Sequence, residues 1–319
     1  MNPAASICPL CGQKSLSAYK NKKARRAENN GAGRLDKCAS CGLVFQNPVP
    51  GDLSSFYDGY RGEEGKRFLA GVEAVVKFFR RRRARAVNRL YDGPGRVLDI
   101  GCGRGQMLRE LKARGWECFG TEFPGQASGD LPFTVYEGEL AELKLSARSF
   151  DAVTLWHVFE HLKDPFSALE EIDRILKPGG FLVISVPNIE SLQAKVFGRN
   201  WIHLDLPRHI YHFSPWSLSG ALQKKGFTIV DYRHFSAEYG MSGVILSLGA
   251  ALTGKGPDFF NTLRSGRKSF GTYGILAFSV IMAPFAAAFS TAEALLKRGG
   301  EVIVLARKPG LTLGRGKDK

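Results

Sequence analysis

The feature that most constrains this chain is residues 97–108, Val-Leu-Asp-Ile-Gly-Cys-Gly-Arg-Gly-Gln-Met-Leu. Val97, Leu98 and Ile100 make a short apolar run that fits a buried strand, and Gly101, Gly103 and Gly105 follow at once. Met107, Leu108 and Leu111 then take helical spacing, so a glycine turn delivers free backbone N–H groups at a helix N-terminus. Anionic or polar ligand groups suit that place. Asp99 stands two residues before the first glycine, and the G-x-G-x-G spacing differs from the G-x-G-x-x-G dinucleotide fingerprint. Glycine lets a ligand approach the backbone closely, and a carboxylate beside it suits a ligand with an amine and a positive charge.

Strand and helix patterns alternate after this turn. Trp116–Gly120 reads as a second strand, Phe133–Tyr136 as a third and Phe150–Leu155 as a fourth. Ala168–Leu176 is an amphipathic helix stopped by Lys177-Pro178-Gly179-Gly180, and Phe181–Val186 is a fifth, wholly apolar strand. Phe227–Arg233 and Glu301–Ala306 supply a sixth and a seventh. Such alternation predicts an α/β fold with a largely parallel sheet covered on both faces and ligands at the carboxyl ends of its strands. Glu122 follows the second strand, 23 residues after Asp99. One carboxylate there can accept two hydrogen bonds from ribose hydroxyls.

From about Arg85 to Asn188 the chain resembles the class I S-adenosylmethionine-dependent methyltransferases of the methyltransferase-23 type, with Asp99 to Gly105 similar to that family's first motif. The resemblance implies a Rossmann-like seven-stranded sheet whose last strand runs antiparallel, and S-adenosylmethionine as cofactor. It assigns cofactor contacts to Asp99, Gly101, Cys102, Gly103, Gly105, Glu122 and Phe123. Gly138, Glu139 and Leu140 fall where the family meets the adenine, and Trp156 and His157 where the fourth strand ends.

Cys8-Pro-Leu-Cys11-Gly and Cys38-Ala-Ser-Cys41-Gly are two C-x-x-C-G units separated by 26 residues. Four thiolates in paired knuckles suit a closed tetrahedral zinc site of structural type, with iron the minor alternative. The remaining thiols, Cys102 and Cys118, sit in the apolar pattern as inert core residues. Met1–Ser17 has no apolar core of secretory length, so the chain is expected in a reducing cytoplasm.

The net charge of +15 is unevenly spread: +10 over residues 1–95, −4 over 96–195 and +9 over 196–319. A mildly acidic centre suits a cationic cofactor, whereas basic flanks suit an anionic partner such as lipid, nucleic acid or a phosphorylated substrate. The sequence divides into a zinc ribbon over 1–50, a connector with a basic amphipathic helix over 51–95, a cofactor-binding core over 96–238, an apolar helical insertion over 239–300, and a last strand with a basic tail over 301–319. Residues 20–34 read as a basic loop, Tyr57 and Tyr60 lie in the connector, and 66–90 reads as a helix with its arginines toward the end.

The insertion has no charge from Tyr239 to Gly254 or from Ser269 to Ala292. The second run is long enough to cross a bilayer. Strands six and seven flank it, however, so the number of crossings must be even if they pair, and the first run is short and Pro284 interrupts the second. A helical hairpin is expected on the cytoplasmic face of the membrane, aided by Lys255, Arg264, Arg267 and Lys268. Packing on the domain or on a second subunit is the soluble alternative.

Trp201–Ser214 is dense in histidine and aromatic residues without helical or strand period, so it reads as an ordered loop; Ser214-Pro215 then caps a helix. Methyl transfer is an in-line displacement, and a hydroxyl acceptor also needs a base. His209 and His212 are the first candidates, with His157 and His161 next, the last two sharing a helix face with Glu160. The expected function is O- or C-methylation of a small or lipid-linked acceptor, quinone-like or sugar. RNA methylation is the second reading and a non-catalytic cofactor-binding adaptor the third.

Overall fold

The computed structural model describes residues 6–19, 34–51, 70–125, 130–254 and 270–310. Residues 20–33 of the loop expected over 20–34, Tyr57, Tyr60, the four cations of 255–268 and the tail beyond 310 lie outside them, and Arg34 opens a strand instead. Strands β1 (Leu16–Ala18), β2 (Arg34–Cys38) and β3 (Val44–Asn47) form an antiparallel ribbon at the N-terminus, and helix α1 (Ala70–Asn88) follows. The core then runs β4 (Arg96–Ile100), α2 (Gln106–Lys112), β5 (Glu117–Glu122), β6 (Thr134–Glu137), β7 (Phe150–Trp156), α3 (Pro165–Ile175) and β8 (Leu176–Pro187). After it come α4 (Leu192–Phe197), β9 (Tyr211–His212), α5 (Pro215–Lys224), β10 (Thr228–Arg233), α6 (Tyr239–Thr253), α7 (Phe270–Leu295) and β11 (Glu301–Arg307).

The seven-stranded sheet has the order β10-β11-β8-β7-β4-β5-β6. Its strands are parallel except β11, which pairs antiparallel with both β8 and β10, as the resemblance implied. The order reverses at β4, so β4 and β7 open a crevice at their carboxyl ends. Local chemistry sets the helix starts. Asp164 Oδ1 accepts from the N–H groups of Phe166 and Ser167 to cap α3, and Ser214 and Ser217 cap α5 reciprocally. Leu98, Val153, Leu155, Leu182 and Ile184 are fully buried between α3 and α5 on one side and neighbouring strands.

Three departures from the sequence reading matter for the site. The loop expected over 201–214 contains β9, which pairs with β3 through Val44↔His212 and Phe45↔Tyr211 and so joins the ribbon sheet. Leu43, Phe45 and Cys38 of the ribbon share one buried cluster with Phe159, Ile210 and Phe213, so the ribbon is packed into the main core. The apolar insertion divides in burial: α6 is buried through Val244, Ile245 and Ala250, whereas α7 exposes Val280, Ile281 and Phe285. Pro284 lies inside α7 without ending it, because the carbonyl one turn back can stay unpaired on an exposed face.

Candidate cofactor and acceptor site

The glycine turn at the top of β4 has φ of 68° at Gly101, 55° at Gly103 and 62° at Gly105. Side chains resist this left-handed region, and at two of the three positions space forbids them too. A Cβ on Gly101 would stand 2.4 Å from Val158 Cγ2, and one on Gly105 2.4 Å from Phe133 Cζ. At Gly103 a Cβ would meet nothing within 4 Å, so this residue faces an open cradle. Glu122 closes the cradle from β5, accepting from Gly103 N at 2.7 Å and Phe123 N at 3.2 Å. Gly138 N donates to the Glu122 carbonyl, Glu139 begins the short turn after it, and Leu140 is buried beneath. Cys102 lies under the turn, with its Sγ against Gly120, and burial raises its thiol pKa; Cys118 is likewise pushed up to about 12, so both stay protonated.

Asp99 is buried beneath the cradle and accepts from Thr154 Oγ1 at 2.6 Å. Burial raises its carboxyl to about 7, against the Thr154 hydrogen bond and the positive charges of Arg80 and Arg83. A cation entering beside it would favour the charged form. The arginines belong to α1: Arg83 donates to Glu238 at 2.6 Å and lies 4.6 Å from the centre of the Trp156 ring, while Arg104 of the glycine turn pairs with Glu73 at 2.9 Å. Part of the α1 basic run thus turns inward, which its sequence did not distinguish from a solvated face.

Beyond Trp156 the chain leaves the sheet through His157, at φ 57°, into a 3-10 turn over Phe159–His161. His157 and His161 therefore do not share a helix face as expected; their rings part. His157 is stacked on Tyr239 of α6 at 3.7 Å, with Nδ1 3.3 Å from Glu160 and Nε2 3.1 Å from Glu301 of β11. Burial alone would strip its proton, yet Glu301 and Glu160 raise the imidazole to about 10. Burial works upward on Glu301 too, but His157 and Arg83 hold it at about 2. An imidazole already protonated at neutral pH is a poor base, which counts against His157 in that role.

His161, His209 and His212 lie on the other side of Glu160. His161 Nδ1 meets the Arg208 carbonyl at 2.9 Å and His209 Nδ1 the His203 carbonyl at 2.8 Å, which makes Nδ1 the donor and Nε2 the basic nitrogen in each neutral ring. The His161 and His209 rings are 4.5 Å apart. Burial depresses His209 well below its ordinary value, helped by His161 and His212, and brings His212 to about 4. His209 and His212 are thus neutral at physiological pH. Glu160 is 1% exposed, and among the described residues neither of its side-chain oxygens takes a hydrogen bond. Glu160, His161 and His209 bring one ligand atom each to within 4.8 Å of the others, a donor set that a divalent ion would accept. Glu301, Tyr239 and His203 were not expected in the site; Glu160 was noted only beside His157 and His161, and Arg80 and Arg83 only as part of the basic run of α1.

In the ribbon, Cys8 Sγ is 3.5 Å from Cys41 Sγ and Cys11 Sγ 3.6 Å from Cys38 Sγ. All four sulfurs lie within 4.8 Å of one another, and a tetrahedron of thiolates about 2.3 Å from one zinc ion has sulfurs about 3.8 Å apart, so the cage fits that ion.

Residues 74–232 match the family described as a methyltransferase domain. Among curated proteins the chain is similar to the ubiquinone biosynthesis O-methyltransferase of Paraburkholderia phymatum, 29% identical over 46% of this chain and 72% of that protein. The enzyme of the same name from a Ruegeria species is 30% identical over 44% of this chain and 63% of its own length. The chain spans 61–72% of the length of these curated relatives. Among solved structures, phosphoethanolamine N-methyltransferase 2 of Haemonchus contortus shares the fold at 17% identity and a TM-score of 0.50, over 72% of this chain and 52% of that one. The strand order, the glycine turn and the family match agree, and the chain belongs to the class I S-adenosylmethionine-dependent methyltransferases.

Proposed function

We propose that this methyltransferase transfers the methyl group of S-adenosylmethionine to a hydroxyl of a small or lipid-linked acceptor of quinone-like shape. The observation that carries the reading is the pair of buried, neutral histidines His209 and His212, held next to Glu160 in the turn that follows β7. The naming of the curated relatives as ubiquinone biosynthesis O-methyltransferases supports a hydroxyl over a sugar carbon. Asp99, Gly101, Cys102, Gly103, Gly105, Glu122 and Phe123 form the cradle for the cofactor's amino acid and ribose, Gly138 to Leu140 the adenine edge, and Trp156 with His157 the wall toward the methyl group. The cofactor supplies an electrophilic methyl on sulfur. The chain's own residues align the acceptor and take its proton, with His209 Nε2 as first base and His161 or His212 behind it. Zinc held by Cys8, Cys11, Cys38 and Cys41 fixes the ribbon.

A second form of the same reading rests on the donor set itself: a divalent ion on Glu160, His161 and His209 would bind the acceptor oxygen and lower its pKa. The family assignment sets the adaptor reading aside. The test is transfer of labelled methyl to catechol-like phenols, to polyprenylated phenols, to nucleotide sugars and to bulk RNA. Transfer to phenols that falls with His209→Ala, with cofactor affinity kept, supports the proposal. Transfer to RNA alone overturns it. Dependence of kcat on added Mg2+ or Mn2+, ions that four thiolates do not take, separates the metal-assisted form from the histidine base.

A further inference from the structure

The outer face of α7 has no part in the site described above. Tyr273, Ala277, Val280, Ile281, Pro284, Phe285, Ala288, Ala292 and Leu295 recur every three or four residues and are all exposed. Val280 is 74% exposed, Ile281 68% and Leu295 80%, and only 17% of the helix's most apolar stretch is buried. From Tyr273 to Leu295 this makes an uncharged stripe about 33 Å long at 1.5 Å per residue.

Where the stripe ends, a cleft of about 650 Å³ opens between α7, α4 and the ribbon. Leu296, Lys297 and Arg298 form one wall, Lys195 and Lys37 others, and Glu190 is its one acid. Lys37 meets Glu190 at 3.9 Å, which leaves a surplus of positive charge beside the last apolar residues. Apolar contact and a cationic cleft at one edge match the two layers of an anionic bilayer surface, acyl chains beside phosphate headgroups. Helix α1, joined to the root of the insertion by Arg83 and Glu238, adds a similar mixture, with Val75 and Phe78 exposed among Lys77, Arg81 and Arg82.

Topology decides how the helix lies. The insertion leaves β10 and returns at β11, which pair in one sheet, so a crossing by α7 would require α6 to cross as well. Helix α6 has 15 residues and is tied into the domain: Ser247 Oγ accepts from Ile202 N, the Gly240 carbonyl accepts from Gln193, and Val244 and Ile245 pack with Phe197, Trp201 and Leu204. It cannot leave that setting.

We propose that α7 lies in the plane of an anionic phospholipid bilayer, its stripe among the acyl chains and the Lys37, Lys195, Lys297 and Arg298 cleft on the lipid phosphates. The proposal concerns this surface and stands apart from the assignment of the acceptor. The test is cosedimentation of the zinc-loaded full chain with vesicles of phosphatidylcholine, with and without phosphatidylglycerol, beside light scattering of the free protein. The expected result is pelleting that is strongest with phosphatidylglycerol. The double variant Val280→Glu, Ile281→Glu should lose at least about tenfold in partitioning, since two exposed apolar side chains no longer enter the lipid. Lys297→Glu with Arg298→Glu should abolish the preference for anionic lipid. Unchanged thermal midpoints and calorimetric binding of S-adenosylhomocysteine show that the variants are folded and that the methyltransferase site is intact. A wild-type chain that does not pellet overturns the proposal. So does a wild-type dimer that Val280→Glu, Ile281→Glu converts to monomer, which makes the stripe an interface between copies.

Discussion

At the scale of single residues, burial decides what each titratable group can do. Asp99 carries its proton up to about pH 7 instead of the ordinary 3.8, because the space beneath the glycine turn is dry. The folded chain without cofactor therefore binds more protons than the unfolded chain across that window, so this group's contribution to stability is lost as pH rises through it. S-adenosylmethionine bound beside Asp99, as proposed, would reverse the preference, since its cationic groups favour the carboxylate. Binding should expel a proton below pH 7, and affinity should rise with pH by up to about tenfold per unit between pH 5.5 and 7. Calorimetry in buffers of different ionisation enthalpy measures the proton; a flat affinity in the wild type, or a slope retained in Asp99→Asn, contradicts the assignment. His157 obeys the opposite arithmetic. Glu301→Gln removes one of its two carboxylates and should cost about 3–5 kcal/mol of stability, read as a lower urea midpoint, because it leaves a buried charge half-paired. Asp99, the glycines and Glu122 were legible beforehand because they lie within one strand-turn-helix-strand segment. Glu301 and Tyr239 were not, since each meets His157 only after the sheet and the insertion have closed, and their own neighbours in sequence are plain apolar patterns.

At the scale of elements, the strands that carry a full apolar run were readable and the one defined by its partner was not. Tyr211–His212 has two residues and no period; it is a strand because β3 offers it hydrogen bonds, and Gln46 N donates to the Ile210 carbonyl at 2.8 Å beside it. The expected helical face for His157 and His161 failed for a related reason: the left-handed backbone of His157 turns the chain before a helix can start. The glycine turn offers a graded test of which element contacts the ligand. Gly101→Ala drives a Cβ into Val158 and should destabilise the apo protein by about 2–4 kcal/mol, strain and collision together. Gly103→Ala meets open space, so its stability cost should stay near about 1 kcal/mol while S-adenosylhomocysteine affinity drops at least about tenfold. Thermal melts with and without ligand distinguish the two. Unchanged S-adenosylhomocysteine affinity in Gly103→Ala would mean that the open side of Gly103 is not where the cofactor lies.

At the scale of the molecule, the ribbon and the proposed acceptor side of the site are one mechanical unit, although the sequence separates them by more than a hundred residues. The ribbon's β3 holds β9, β9 ends in His212, and Lys224 of α5 donates to the Leu10 carbonyl of the first knuckle at 3.1 Å. The cofactor cradle hangs instead on β4, β5 and α2, which meet none of these strands in the sheet order. Loss of metal from the four cysteines should therefore act unevenly. The knuckles would lose the bonds that set their turns, β3 would loosen, and His209 and His212 would lose the backbone frame that keeps them neutral and aimed at Glu160. In Cys38→Ser with Cys41→Ser, methyl transfer should fall by about a hundredfold or more, whereas S-adenosylhomocysteine affinity should stay within about threefold of the wild type. Hydrogen exchange should rise first in residues 34–47 and 203–213, with β4 and β5 still protected. Comparable loss of cofactor affinity and turnover would show that the ribbon supports the whole sheet and not the acceptor side alone.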